Sequence, residues 1–138
     1  MSLEIIIEKG EDILYGRIEG NEYFSPVTAA DSKKEVLENL KMLIKDYQEH
    51  EGKEDNFWGK IDTEKTSFEF RYDLQAFFAE YDFLNASAIA RHADMNESLV
   101  RQYASGKKFP SAEQTKKLES TIKALTKPLQ KLSLYAKA

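Results

Sequence analysis

Leu3, Ile5 and Ile7 alternate with Glu4, Ile6 and Glu8, a period of two that lines one face of an extended segment with aliphatic side chains. Gly10, in the stretch from Glu8 to Asp12, reads as a turn, and Ile13 to Ile18 reads as a second strand with Gly16 inside it. A further turn at Glu19-Gly20-Asn21-Glu22 leads to a short third strand from Tyr23 to Thr28. Pro26 lies within it and has no N–H to give to a ladder, so this strand is at a sheet edge or irregular. The period then becomes helical. Ser32 and Glu35 have the spacing of a capping box, and Val36, Leu37, Leu40, Leu43, Ile44 and Tyr47 recur on one face, as in a helix covering one side of a sheet. From His50 to Lys65 the chain is polar apart from Phe57, Trp58 and Ile61. Docking of the aromatic pair onto the edge of its own core is the favoured reading over a partner-binding role. Thr66, Phe68, Phe70 and Tyr72 alternate with Ser67, Glu69 and Arg71 in a strand that closes the sheet. The pattern predicts a small β-β-β-α-β domain over residues 1–72.

After Tyr72 the pattern is helical throughout, which predicts a second, all-α domain over residues 73–138 and an α+β chain overall. Asp73 caps a short helix with the stripe Leu74, Phe77, Phe78 and Tyr81, and Asn85 caps the next, through Ile89, Ala90 and Ala93. Asp94-Met95-Asn96 supplies a tight turn, and Asn96 caps a third helix in which Leu99, Val100 and Tyr103 pack inward. Gly106 ends that helix as a left-handed terminator. Lys107, Lys108, Phe109 and Pro110 form a basic loop, and Ser111 with Gln114 is a second capping box opening a helix through Leu118, Ile122 and Leu125. Pro128 kinks or stops it, leaving a tail from Leu129 to Ala138.

Composition excludes several chemistries. The 138 residues contain no cysteine, so there is no disulfide, thiolate nucleophile or cysteine zinc site. The two histidines, His50 and His92, lie far apart and outside any metal-binding spacing; His92 is placed on the inner side of its helix as a packed or surface residue. Glu4, Glu8, Asp12 and Glu19 form no recognisable two-metal cluster, and no catalytic residue, metal or cofactor is expected. No apolar run nears the roughly 18 residues of a membrane span, and no leader opens the chain, so a cytoplasmic protein away from membranes is expected.

Charge changes the picture most. The net charge of −4 argues against a nucleic-acid partner until it is split by position. Residues 1–82 hold 10 Lys and Arg against 20 Asp and Glu, net −10, whereas residues 83–138 hold 10 against 4, net +6. Such asymmetry is the pattern of a chain of which one part meets a polyanion.

Two short helices joined by a tight turn, then a basic loop and a capped helix, form the layout of a helix-turn-helix DNA-binding domain. The run Ile89-Ala90 to Ala93-Asp94-Met95-Asn96, with Ser98, Val100, Tyr103, Gly106-Lys107-Lys108 and Pro110-Ser111, resembles the Cro/CI (XRE) repressor pattern. Asp94 stands where that family usually has Gly, a change Asp tolerates at positive φ, and Ala104 stands where Glu is common. Together with the opening IIIEKGEDILYGRIEG and the helix Glu35-Val36-Leu37-Glu38-Asn39-Leu40-Lys41, the whole chain resembles HicB-family antitoxins. The resemblance implies a degenerate RNase H-like N-terminal domain that blocks a small HicA-type ribonuclease toxin, and a C-terminal domain that represses the shared operon.

In the helix-turn-helix arrangement the third helix of the second domain enters the major groove, which puts Glu97, Ser98, Arg101 and Gln102 at base edges of double-stranded operator DNA. Arg101 suits guanine, Gln102 adenine, and Glu97 either cytosine or the dipole of its own helix. Asn85, Ser87, Asn96, Lys107 and Lys108 are candidates for phosphate contacts. Lys116, Lys117, Lys123, Lys127 and Lys131 read as a solvated face. A homodimer or higher even oligomer is expected, through either the edge strand around Pro26 or the tail from Leu129 to Leu134. The competing functions are an orphan XRE-type regulator whose N-terminal domain dimerises or senses a ligand, and a nuclease.

Overall fold

Burial of Leu3, Ile5 and Ile7 sets strand β1 (Ser2–Lys9) inside a four-stranded sheet of order β3-β2-β1-β4 in the computed structural model, which describes residues 1–137. The chain divides into two units, Met1–Ala76 and Phe77–Ala138, and the division falls inside helix α2 rather than ahead of it. Ala138, the last residue of the expected tail, lies outside the described residues.

In the first unit β2 (Leu14–Arg17) pairs antiparallel with β1, with Ile7 opposite Gly16 and Glu8 opposite Tyr15. The connecting turn is closed by the Gly10 N–H on the Ile13 carbonyl at 2.9 Å, with Asp12 at φ 57°. Strand β3 (Val27–Ala30) pairs antiparallel with β2 and forms one edge, while β4 (Ser67–Tyr72) lies parallel to β1 at the other. A parallel neighbour requires a crossover, and helix α1 (Lys33–Glu49) supplies it. Ser32 caps α1, its hydroxyl accepting from the Glu35 N–H at 3.2 Å. Val36, Leu40 and Ile44 are buried against the sheet, whereas Leu43, at the margin of the stripe, is exposed.

The third strand differs from its sequence expectation. It runs over residues 27–30, not 23–28, because Asn21 claims the segment ahead of it: its side-chain carbonyl accepts from the Tyr23 and Phe24 N–H groups, each at 3.0 Å, and holds them in a turn. Pro26 is buried just outside the strand, where its carbonyl still accepts from the Ile18 N–H at 3.1 Å. The strand is an edge strand, with the proline ahead of the ladder rather than in it.

The aromatic pair of the polar loop belongs to this unit's own core. Trp58 opens a 3-10 turn (Trp58–Lys60), is fully buried, and donates its indole N–H to the Phe24 carbonyl at 2.9 Å. Phe24 stacks on Tyr47 with ring centroids 4.1 Å apart, and Phe57 meets Trp58 edge to face. Gly20 is needed here: a Cβ at that position would run into the Phe24 carbonyl and come within 2.6 Å of the Trp58 ring. Asp55 ties the pieces together by accepting from the Phe57 and Trp58 N–H groups, the Asn21 amide and the Tyr47 hydroxyl. Those donors, the Trp58 N–H first, hold its carboxyl down at about 2, and the same Asp55 bond raises the Tyr47 phenol.

The second unit is helical. Helix α2 (Leu74–Glu80) straddles the division, capped by Asp73, which accepts from the Ala76 N–H at 2.7 Å. It is followed by α3 (Ala86–His92), α4 (Glu97–Ser105) and α5 (Ala112–Thr126), the last running into a 3-10 turn at Lys127–Lys131. Ile89, Ala90, Val100, Tyr103 and Leu118 are its buried residues on α3, α4 and α5, with Ala93 buried at the end of α3. His92 is exposed, contrary to its expected inward placement. At about 100° per residue it falls to the flank of the face set by Ile89, Ala90 and Ala93. Among the described residues no helix is long and apolar enough to cross a membrane.

Candidate nucleic-acid interface

Every helix end around the α3–α4 turn is closed by a local side chain or a left-handed residue. Asn85 accepts from the Ala88 N–H and Asn96 from the Leu99 N–H, each at 2.9 Å, and so fix the starts of α3 and α4. Between the helices the Met95 N–H returns to the Ala90 carbonyl at 2.9 Å, and Asp94 adopts φ 56°. Asp at this position is therefore in the left-handed region that Gly would occupy at no cost. Gly106, at φ 81°, ends α4, and the N–H groups of Lys107 and Lys108 turn back onto the Gln102 carbonyl.

Helix α5 is held against this pair by polar as well as apolar contacts. Ser111 and Gln114 form the full reciprocal capping box, and the Gln114 side-chain carbonyl also accepts from the Tyr103 hydroxyl at 2.6 Å. One glutamine thus starts α5 and anchors α4. Leu118 fills the space beneath and is fully buried.

With Val100 and Tyr103 turned inward and Leu99 half-buried, the outer face of α4 presents Ser98, Arg101 and Gln102. Arg101 Nη1 donates to the Ser87 hydroxyl at 2.8 Å, which joins a residue expected at a base edge to one expected at phosphate. Gln102 donates to Ser98, one turn earlier, at 3.3 Å. Glu97 is engaged with Arg91 at 2.8 Å, which sets a positive charge beside its carboxylate within the unit. Asn85 and Asn96 use their side-chain carbonyls as caps, which leaves the amide NH2 of each as its donor group. Lys107 and Lys108 are exposed in the loop after α4, beside the exposed ring of Phe109. Lys116, Lys117, Lys123, Lys127 and Lys131 are all exposed, and Lys123 pairs with Glu119.

Arg91 carries no role in the sequence reading, yet it sits at the face through its bond to Glu97. The available signal was a basic residue in the last turn of α3 followed by an acidic residue at the first position of α4. Counted on the structural division, the second unit holds 10 basic and 6 acidic residues, net +4, and the first 10 and 18, net −8. Among the described residues no three His, Asp or Glu side chains converge as a metal site requires. No protein-family model, no curated protein and no solved structure matches this chain.

Proposed function

We propose that the second unit is a helix-turn-helix domain that reads operator DNA, and that the whole chain is a HicB-like antitoxin and autorepressor. The observation that carries this reading is the outward face of α4: Ser98, Arg101 and Gln102 stand together on a rigidly capped helix, with Ser87 on one side and Lys107 and Lys108 at its far end. Arg101 and Gln102 have the donor geometry for guanine and adenine edges. Ser87, Asn85, Asn96 and the two loop lysines supply phosphate contacts that set the register, with Asn85 and Asn96 acting through their amide NH2 groups. The Arg91–Glu97 pair keeps the Glu97 carboxylate from repelling phosphate, and it opens where Glu97 accepts from cytosine.

The first unit's charge and sheet order support the toxin-blocking half of this reading. A sheet of order β3-β2-β1-β4, with three antiparallel strands and a parallel fourth reached by a helix, is the arrangement expected of a truncated RNase H-like domain. Its net charge of −8 suits a small basic ribonuclease of the HicA type, because complementary fields speed encounter and favour docking.

Selection of the purified full chain on a random-sequence duplex library tests the DNA half. A consensus should emerge, and Arg101→Ala should relax it at one base pair. Enrichment of no sequence would remove the proposal. The toxin half is tested by co-expression with a small basic reading frame adjacent to this gene: a stable complex and relief of growth arrest are expected. Failure of both, alongside intact DNA selection, would leave a regulator without a toxin.

A further inference from the structure

The helix α5 begins in the core and runs out of it. Leu118 is fully buried, Ile122 half-buried, Leu125 37% exposed, Leu129 57% and Leu132 62%. Leu118, Ile122 and Leu125 share one face of α5 at spacings of four and three, Leu129 lies in the 3-10 turn Lys127–Lys131, and Leu132 closes that turn. Beyond them, Leu134 and Tyr135 are 82% and 88% exposed. We infer that this stripe is covered by a second copy of the chain, making the α5 and tail region the homodimer interface.

Three observations favour that occupant. The exposed parts of Leu125, Leu129, Leu132, Leu134 and Tyr135 amount to on the order of 600 Å2, so a symmetric pair would bury on the order of 1,200 Å2, the lower edge of a specific interface. That is also about the largest apolar patch a monomer tolerates. Next, the flanks of the stripe close without unmet donors: the Thr121 hydroxyl donates to the Lys117 carbonyl at 2.9 Å and the Thr126 hydroxyl to the Ile122 carbonyl at 2.8 Å. Finally, at about 100° per residue Lys116 and Lys123 fall on the side of α5 away from Leu118, Ile122 and Leu125, so two positively charged copies can meet along an uncharged line. Of the sheet's two edges, β4 spans six residues, and β3 spans only four with Pro26 buried ahead of it, a short edge of the kind that limits strand addition.

This inference concerns association in the absence of DNA and does not rest on the DNA reading. Sedimentation equilibrium of the full chain, without DNA, is the test, with the fold monitored by circular dichroism. The wild type should have twice the monomer mass at micromolar concentration. The Leu129→Gln/Leu132→Gln variant, altered only at exposed positions, should keep its fold and dimerise about 100-fold more weakly or worse. Val27→Gln, on the exposed β3 edge, should leave the dimer intact. Because the stripe is apolar and both tails are basic, association should hold or tighten as salt rises from about 50 to 500 mM. A monomeric wild type, a dimer broken by Val27→Gln and not by the double variant, or a dimer that dissolves as salt rises would each overturn the assignment; the last would point to an acidic occupant of the stripe.

Discussion

The two units are fastened in opposite ways. The first is held by side chains distant in sequence: Asp55 gathers Asn21, Tyr47 and the Phe57 and Trp58 N–H groups, Gln48 donates to the Trp58 and Ile61 carbonyls, and Trp58 reaches Phe24. In the second, Asn85, Asn96, Gly106 and Ser111 each close the helix end they adjoin, and the ties between helices, such as Tyr103 to Gln114, join elements adjacent in sequence. Long-range ties fasten the loops of the first unit to its core, which suits the protein-docking surface proposed for it. Local closures bound short helices and leave the outward side chains of α4 uncommitted to the core, which suits the groove-reading surface proposed for it.

The sharpest way to break this contrast is to remove a keystone from each side. Trp58→Ala should cost about 3–5 kcal/mol, read as loss of the first unit's cooperative urea transition, because a fully buried ring and its bond to Phe24 disappear together. Leu118→Ala should cost about 2–5 kcal/mol in the second unit. Trp58, the chain's single tryptophan, reports the first unit by fluorescence, so the Leu118→Ala loss should show in the helical circular dichroism signal. A fluorescence transition unmoved by changes at Gly20 or Asp55 would show that the aromatic hub is not a fastening.

Smaller effects separate reading from folding. Arg101→Ala should cost ~1–3 kcal/mol of discrimination at one base pair while leaving the melting temperature near wild type, whereas Lys107→Ala should weaken all duplexes alike. Equal losses on every sequence for Arg101→Ala would move that residue from base readout to phosphate. Asn96→Ala and Gly106→Ala should each cost about 1 kcal/mol of stability, the first by orphaning an N–H, the second by forcing a Cβ into φ 81°.

The finest difference is in pH response. The Asp55 carboxyl is held at about 2, below its ordinary value near 3.9, so its contribution is full above the ordinary value and is lost as pH falls towards 2. Acid denaturation of the first unit should therefore be shallower over that window in Asp55→Asn than in the wild type. Superimposable acid limbs would contradict the role given to Asp55.

What the sequence disclosed follows the same divide. The caps Asp73, Asn85, Asn96 and Ser111, the terminator Gly106 and the positive φ of Asp94 were legible because each acts within a few residues of itself. The alternation of Leu3, Ile5 and Ile7 gave β1 for the same reason. The parallel partner of β1 was not legible, since period two says that a strand exists and nothing of its neighbour. Strand β3 was misplaced because a single side chain, Asn21, converts residues 23 and 24 from strand to turn. Asp55 in Asp-x-Phe-Trp carried a local turn signal, its carboxylate accepting from N–H groups two and three residues on, but its bonds to Asn21 and Tyr47 needed the fold. At the candidate interface the outward residues of α4 were legible from spacing, whereas the Arg91–Glu97 and Arg101–Ser87 pairs span two helices and were not.

The most direct test of DNA recognition by an acidic chain is the salt dependence of its affinity for a selected duplex. With Lys107 and Lys108 from each of two copies on phosphate, the logarithm of the association constant should fall against the logarithm of salt concentration with a slope of about −4. A slope near zero between about 50 and 200 mM salt would mean that the second unit's local charge does not meet phosphate, and would contradict the DNA-binding proposal.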